Sequence, residues 1–109
     1  MAWRWARDGW TTRQGLLRFS GGYDKIEHAL FFGAMYAVLR LVGMNTAGAW
    51  LWSSFAALLN EVKDALMPWE RFGWIGGDGF SWRDFVASVG GILLCWAAEM
   101  AVRVFLPIG

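Results

Sequence analysis

Cysteine, proline and histidine are scarce in this chain, and charged residues are few. Cys95 is the only cysteine among 109 residues, so the fold must be held without an internal disulfide. The two prolines, Pro68 and Pro107, lie where predicted helices end. Charged residues make up 17% of the chain, against about 25% in an average soluble domain. The net charge of +1 gives no electrostatic attraction for the phosphate backbone of nucleic acid, which excludes nucleic acid as a partner.

Hydrophobic residues are abundant, and many of them are aromatic. They make up 57% of the chain, which excludes a disordered protein, and the length suffices for one small domain. Nine tryptophans, eight phenylalanines and two tyrosines are present. Such rings concentrate at membrane interfaces as well as in protein cores, so their placement must decide between a membrane protein and a soluble one.

Residues 1–23 form a basic segment with tryptophans between the arginines. No continuous apolar run typical of a secretory signal is present in it. Such a segment is suited to lie in the interface of an anionic membrane, and a frayed tail is the alternative. Its basic and apolar residues, together with the lysine that follows, are Arg4, Arg7, Arg13, Arg18 and Lys25, with Trp3, Trp5, Trp10, Leu16, Leu17 and Phe19.

The rest of the chain, residues 24–109, predicts three helices, over residues 25–42, 49–67 and 82–106. Asp24 followed by Glu27 has the spacing of a capping box, and Ser81 followed by Asp84 has it again. A glycine-rich loop over residues 68–80 separates the second and third helices. Each helix is apolar on nearly every face. We therefore predict an all-α fold, a small integral membrane bundle of three transmembrane helices after an amphipathic basic N-terminal segment. A soluble helical bundle is the alternative.

The positions of lysine and arginine predict how such a bundle is oriented. Eight of the ten lie in the N-terminal segment or at the junction of the second and third helices, while Arg40 and Arg103 lie at the other end. By the positive-inside rule the N-terminus is cytoplasmic and the C-terminus periplasmic, in the inner membrane of a bacterium. The expected partners are membrane lipids and other integral membrane proteins.

Polar residues gather at one end of the predicted bundle, where ionisable groups near a bilayer indicate a functional site. The residues concerned are Asp24, Lys25, Glu27, His28, Glu61, Lys63, Asp64, Arg83, Asp84 and Ser88. A histidine among carboxylates is able to bind a divalent metal, to pass protons, or to act as acid or base on a lipid phosphate. The chain has no HExxH, CxxC, Walker or GxSxG motif, so we assign no metal ligand, cofactor or catalytic residue. Helix capping and charge neutralisation are the structural alternative.

Two further features have structural interpretations. Glu99 and Arg103 are four residues apart and predict an ion pair. The glycines at 33, 90 and 91 lie inside helices and predict close helix crossings.

Several of these residues resemble the motifs of two related families. Asp24, Lys25 and His28, followed by two phenylalanines, resemble the Asp-Lys-x-x-His-Phe opening of VanZ-like membrane proteins. Further along, Glu61 to Asp64, Pro68, Arg71, Asp84, Ser88 and Gly91 follow the order of that family's Glu-x-x-Gln, Pro-Gly-Arg, Asp and Asn-x-x-Gly. The stretch GFSWRDFVASVGG is similar to the Phe-Ser-x-x-Asp pattern of YfiM-type envelope proteins. This chain departs from the VanZ-like pattern at Asp64, Trp69 and Ser88.

The resemblance implies a role in the bacterial envelope and a set of site residues. At the positions that match the family motifs, the set is Asp24, Lys25, His28, Glu61, Asp64, Arg71 and Asp84. We expect a small inner-membrane protein, interpreted as non-enzymatic, whose cytoplasm-facing cluster binds a lipid headgroup or small ligand. The alternative is an accessory subunit of a larger energy-transducing or photosynthetic membrane complex. A membrane-embedded lipid hydrolase or transferase would need Glu61 or Asp64 poised beside His28.

Overall fold

A computed structural model describes residues 2–13, 15, 21 and 23–106 of the chain. These residues form an all-α fold with three long helices: α1 (Asp24–Leu41), α2 (Thr46–Leu66) and α4 (Trp82–Phe105). A short helix, α3 (Trp69–Phe72), and a 3₁₀ turn (Gly73–Ile75) occupy the glycine-rich loop. The three predicted helices are therefore present, with α2 beginning three residues earlier than expected because Asn45 caps it through the Gly48 amide.

The prediction of three transmembrane helices is wrong. Within the described part of the chain, α4 alone is long and apolar enough to cross a membrane. Helix α1 carries Asp24, Lys25, Glu27 and Arg40 in its 18 residues, and the last turns of α2 are charged. Both helices carry apolar residues on nearly every face, yet these charged groups make either helix costly to insert into a membrane by itself.

Helix α1 packs mainly against α4, and α2 lies alongside both. The closest approach is at Gly91, where an added Cβ would lie 2.6 Å from the carbonyl carbon of Ala29. Gly33 makes the matching approach from α1, because a Cβ there would lie 2.9 Å from the Gly91 oxygen. The predicted close crossing is thus confirmed for these two glycines. It is wrong for Gly90, whose Cβ would meet nothing within 4 Å.

The N-terminal segment is attached to the bundle by backbone hydrogen bonds. Arg4 donates to the Ala65 oxygen and accepts from the Phe80 amide, and Ala6 donates to the Phe80 oxygen. This pairing lays residues 4–6 across the end of the loop that leads into α4. Among the basic and apolar residues named for the predicted interfacial segment, four lie outside the described residues: Leu16, Leu17, Arg18 and Phe19.

The buried side chains of the bundle are mostly small or polar, whereas most of its large apolar side chains are exposed. Among the described residues the only large hydrophobic side chains that are buried are Phe32, Tyr36 and Ile92, and 24 others are exposed. The remaining buried residues of the described chain are glycines, alanines and polar or charged groups: Gly33, Gly79, Gly91, Ala49, Ala57, Ala65, Asp24, Lys25, Ser53, Glu61, Ser81, Asp84 and Ser88. In α4 only 17% of the most apolar stretch of 18 residues is buried, unlike the core helix of a soluble domain.

Candidate functional site

The starts of α1 and α4 meet the end of α2, because the three long helices run alternately up, down and up. This end of the bundle collects ionisable side chains from four segments of the chain. We call them the junction cluster, which consists of Asp8, Asp24, Lys25, His28, Glu61 and Asp84.

Lys25 lies at the centre of the junction cluster and contacts three carboxylates. Its Nζ lies 2.7 Å from Asp84 Oδ1 and 3.1 Å from Asp24 Oδ2, and it also donates to Asp8 Oδ2. All four side chains are close to nine-tenths buried. Burial by itself lowers the pKa of Lys25, but the hydrogen bonds to Asp8, Asp84 and Asp24 raise it by more, so the ammonium stays charged.

His28 joins the cluster one turn further along α1. Its Nε2 lies 3.2 Å from Asp84 Oδ2, and its ring stacks on Phe32 with the ring centroids 6.4 Å apart. Burial lowers the pKa of His28, whereas the hydrogen bond to Asp84 and the surrounding carboxylates raise it above its ordinary value. The imidazole is therefore held by a carboxylate at one nitrogen.

Glu61 is fully buried and holds the start of α4. Its Oε1 accepts a hydrogen bond of 3.1 Å from the Ser81 amide. Burial raises the pKa of Glu61 to about 7, although the Ser81 amide opposes the shift. Ser81 in turn caps α4 by accepting from the Asp84 amide, and its hydroxyl donates to Asp8 Oδ2. The capping predicted for Ser81 is confirmed. At α1, by contrast, Tyr23 occupies the cap position without a side-chain capping hydrogen bond, so the capping predicted for Asp24 is wrong.

Two pockets beside the junction cluster are lined by both Asp24 and His28 in the described part of the chain. The first, of about 560 Å³, is the junction pocket; its lining residues include Asp8, Asp24, His28, Asp64, Trp69, Asp78 and Asp84. The second, of about 520 Å³, is the flank pocket; its lining residues include Asp24, Glu27, His28, Phe31, Phe32, Asn60, Lys63 and Asp64. Asp24, His28, Asp64 and Gly76 line both, so the two pockets adjoin.

Asp64 reaches the pockets from α2 without joining the contacts of the cluster. Its Oδ1 pairs with Lys63 Nζ at 2.9 Å. The glycine-rich loop closes over it at Gly77, where a Cβ would lie 2.6 Å from Asp64 Cβ. The glycine is therefore required for the loop to approach the carboxylate this closely.

The structure brings six of the seven predicted site residues together at this end of the bundle, and leaves Arg71 apart. Arg71 is exposed on α3 and lines a different pocket, between the N-terminal segment and the end of α2. Sequence reasoning missed Asp8, whose carboxylate contacts both Lys25 and Ser81. The available signal was that Asp8 is the single acidic residue in the basic first 23 residues.

A second polar group lies at the opposite end of the bundle. The predicted pair of Glu99 and Arg103 is confirmed, with 3.1 Å between Arg103 Nη2 and Glu99 Oε2. Arg40 and the buried Tyr36 bind the same carboxylate, at 2.7 Å each. This carboxylate therefore joins α1 to α4, which gives the group a structural role.

The charges of the junction cluster favour a positively charged ligand. Four carboxylates face one lysine and one histidine, and Asp64 and Asp78 add further carboxylates to the pocket. The Oδ1 atom of Asp24 is buried and has no hydrogen-bond partner among the described residues. Asp24, His28 and Asp84 each offer a ligand atom within 4.8 Å of the others. Comparison with protein-family models, curated proteins and solved structures finds no match to this chain.

Proposed function

We propose that this protein is a small membrane protein of the VanZ-like or YfiM-like kind that binds the headgroup of a lipid beside its junction cluster. The distribution of side chains supports a membrane location, because large apolar groups cover the outside while polar groups fill the interior. Helix α4 supplies the apolar length for one membrane span.

The observation that carries this proposal is the presence of phenylalanines beside a pocket lined by carboxylates. The junction pocket is lined mainly by carboxylates and glycines, whereas the flank pocket adds Phe31, which is exposed, and Phe32 to six polar or charged residues. A lipid has the same succession of groups, a polar head followed by apolar chains. The junction pocket takes the headgroup in this arrangement, and the flank pocket takes the first part of an acyl chain.

The charge of the junction pocket selects the kind of headgroup. Its lining contains five aspartates and one histidine, so a bare phosphate would be repelled. A headgroup that carries an amine, such as ethanolamine, places its positive charge among these carboxylates. Asp64 is half-buried and Asp78 is exposed. Their carboxylates therefore lie on the open side of the pocket, where a headgroup enters.

The proposed orientation follows from the basic residues on either side of α4. Most lysines and arginines lie in the sequence before α4 or in its first turn, whereas Arg40 and Arg103 lie near its end, where both bind Glu99. The positive-inside rule then puts the junction pocket at the cytoplasmic face of a bacterial inner membrane.

Native mass spectrometry of the chain in mild detergent tests the proposal. We expect the protein to retain one phosphatidylethanolamine in preference to phosphatidylglycerol from an equal mixture. Asp64→Asn removes one pocket charge at constant shape and should weaken retention about tenfold, as expected for a lost charged hydrogen bond. Glu70→Gln is the matched control, because Glu70 pairs with Arg4 on the surface outside both pockets. Equal retention of the two lipids, or an equal loss in the control, would refute headgroup binding here.

An accessory subunit of a larger membrane complex is the second candidate. It is favoured by the exposed aromatic rings on the helices, among them Trp52 and Phe55, which contact each other and cannot be buried within the bundle. Extraction from native membranes distinguishes the candidates. A stoichiometric complex that loses this chain upon Trp52→Ala would support the subunit, whereas a lone chain with bound lipid would support the first proposal.

A further inference from the structure

We propose that Asp24, His28 and Asp84 form a binding site for a divalent transition-metal ion such as Zn²⁺ or Mn²⁺. The inference goes beyond the proposed lipid binding, because a headgroup amine needs no metal to enter the junction pocket. Three observations support it: the spacing of the three side chains, the charge around them, and an oxygen of Asp24 that has no hydrogen-bond partner among the described residues. The three residues lie in the first two turns of α1 and α4.

The spacing of the three side chains is close to that of a coordination shell. One ligand atom from each residue lies within 4.8 Å of the other two. The Nε2 atom of His28 and the Oδ2 atom of Asp84 are 3.2 Å apart. Ligands bound at about 2.0–2.2 Å to one metal ion lie roughly 3.0–3.6 Å apart when adjacent and about 4.2 Å apart when opposite. The His28 and Asp84 atoms already have the spacing of adjacent ligands, and side-chain shifts of about 1 Å would bring an atom at up to 4.8 Å into the same shell.

An unsatisfied carboxylate oxygen supplies an independent sign of a missing ligand. Asp24 is only 8% exposed, and its Oδ1 has no hydrogen-bond partner in the described part of the chain. Lys25 occupies the other oxygen, Oδ2. A buried carboxylate oxygen without a partner is costly, and most such atoms in native proteins are paired. A metal ion bound by Asp24 would satisfy it.

The charges of Lys25 and of the three carboxylates that contact it match one divalent cation. Ionised Asp8, Asp24 and Asp84 contribute three negative charges, and Lys25 contributes one positive charge. Glu61 binds the Ser81 amide instead and is not part of this group. With His28 neutral, as a metal ligand must be, the group carries two negative charges. A buried excess of this size is unfavourable without a counterion. One M²⁺ ion neutralises it and leaves Lys25 paired with Asp8.

The ligand types indicate which ions fit. An imidazole nitrogen with two carboxylates suits Zn²⁺, Mn²⁺ and Fe²⁺, whereas Mg²⁺ and Ca²⁺ prefer oxygen ligands alone. Three protein ligands leave coordination positions open, and the junction pocket lies on that side because all three residues line it. Water or a ligand in the pocket would complete the shell.

Zinc titration of the full chain tests the site. The chain, purified in mild detergent without a histidine tag and stripped with EDTA, should bind one Zn²⁺ in competition with a chromophoric chelator. Asp24→Asn and His28→Gln should each weaken binding at least about tenfold. Glu70→Gln is the matched control, because Glu70 pairs with Arg4 on the surface outside both pockets, and the Zn²⁺ affinity of this variant should stay within about twofold of wild type.

Measurements on the wild-type chain test the metal site where a triad variant does not fold. Circular dichroism reports whether each variant keeps its helices. If a triad variant does not fold, the electronic spectrum of wild-type chain loaded with Co²⁺ decides, since nitrogen coordination at His28 supports the site and coordination by oxygen alone refutes it. Absence of one-to-one Zn²⁺ binding, or unchanged affinity in a folded His28→Gln, also refutes it.

Lipid retention is measured in EDTA on the same preparation. Retention without metal binding overturns this inference alone, and metal binding without retention overturns the lipid proposal alone.

Discussion

Gly90 and Gly91 are neighbours in α4, and they differ in whether another helix packs on them. A Cβ on Gly91 would lie 2.6 Å from the carbonyl carbon of Ala29 and 2.7 Å from its Cα, whereas a Cβ on Gly90 would meet nothing within 4 Å. Alanine at the two positions therefore makes a matched pair of substitutions. Gly91→Ala tests the crossing of α1 and α4, and Gly90→Ala reports what the same change does to the helix alone.

The magnitudes follow from the contact distances. Carbon atoms in good contact lie about 3.5–4.0 Å apart, so α1 and α4 must separate by about 1 Å to admit the methyl group at Gly91. Overpacking costs about 1–3 kcal/mol, and the upper end applies because the obstructing atoms are helix backbone. Replacing a helical glycine by alanine returns about 1 kcal/mol. Gly91→Ala should thus lose about 2 kcal/mol of unfolding free energy, while Gly90→Ala should gain about 0.5–1 kcal/mol.

Unfolding in a mild detergent, titrated with a denaturing one and followed by circular dichroism, measures both values. The unfolding free energies of these two variants, which have the same composition, should differ by about 3 kcal/mol. Ala29 follows His28 directly, so separation of the helices should also lengthen the 3.2 Å contact between His28 and Asp84. Equal stabilities for Gly90→Ala and Gly91→Ala would refute the close crossing.

Three further predictions concern individual buried polar groups. The pKa of Glu61 is raised from 4.5 to about 7, so the wild type should lose stability as pH rises through that interval. Glu61→Gln lacks this loss, so its unfolding free energy relative to wild type should rise by about 3 kcal/mol between pH 4.5 and 7.5, measured by unfolding at each pH. A difference that stays constant with pH would contradict this prediction. Ser81→Ala should cost about 2 kcal/mol and shift the His28 resonances in NMR spectra, whereas Asn45→Ala should cost about 1 kcal/mol and leave them in place. Tyr36→Phe removes the 2.7 Å hydrogen bond to a carboxylate and should lower the melting temperature through a loss of about 1–2 kcal/mol; no change would show that bond to be dispensable.

The helices could be predicted from the sequence because their signals are local. Turn residues, caps and apolar runs determined the three long helices, and the end of α2 was marked by Pro68. The number of spans could not be predicted this way. Apolar residues on all faces suggested three, but the charged groups in α1 and α2 leave α4 as the one candidate in the described chain.

The candidate site was predictable only in part. Spacing along each helix and the family resemblance brought out Asp24, His28 and Asp84. Asp8 was missed, because its place beside Lys25 depends on backbone pairing between the N-terminal segment and Phe80. Arg71 was included because it matches a motif, yet the short α3 carries it to another surface.

The sequence alone determined the helical class, the helix ends and the grouping of ionisable residues near the starts and ends of helices, because these depend on neighbours a few residues apart. Only the tertiary structure decided which charges meet. Lys25 contacts acids 17 and 59 positions away in the chain, and such pairings follow from how α1 crosses α4 at Gly91. The inside-out distribution of side chains was likewise settled by packing, since a helix that is apolar all round has no face that the sequence assigns to the core.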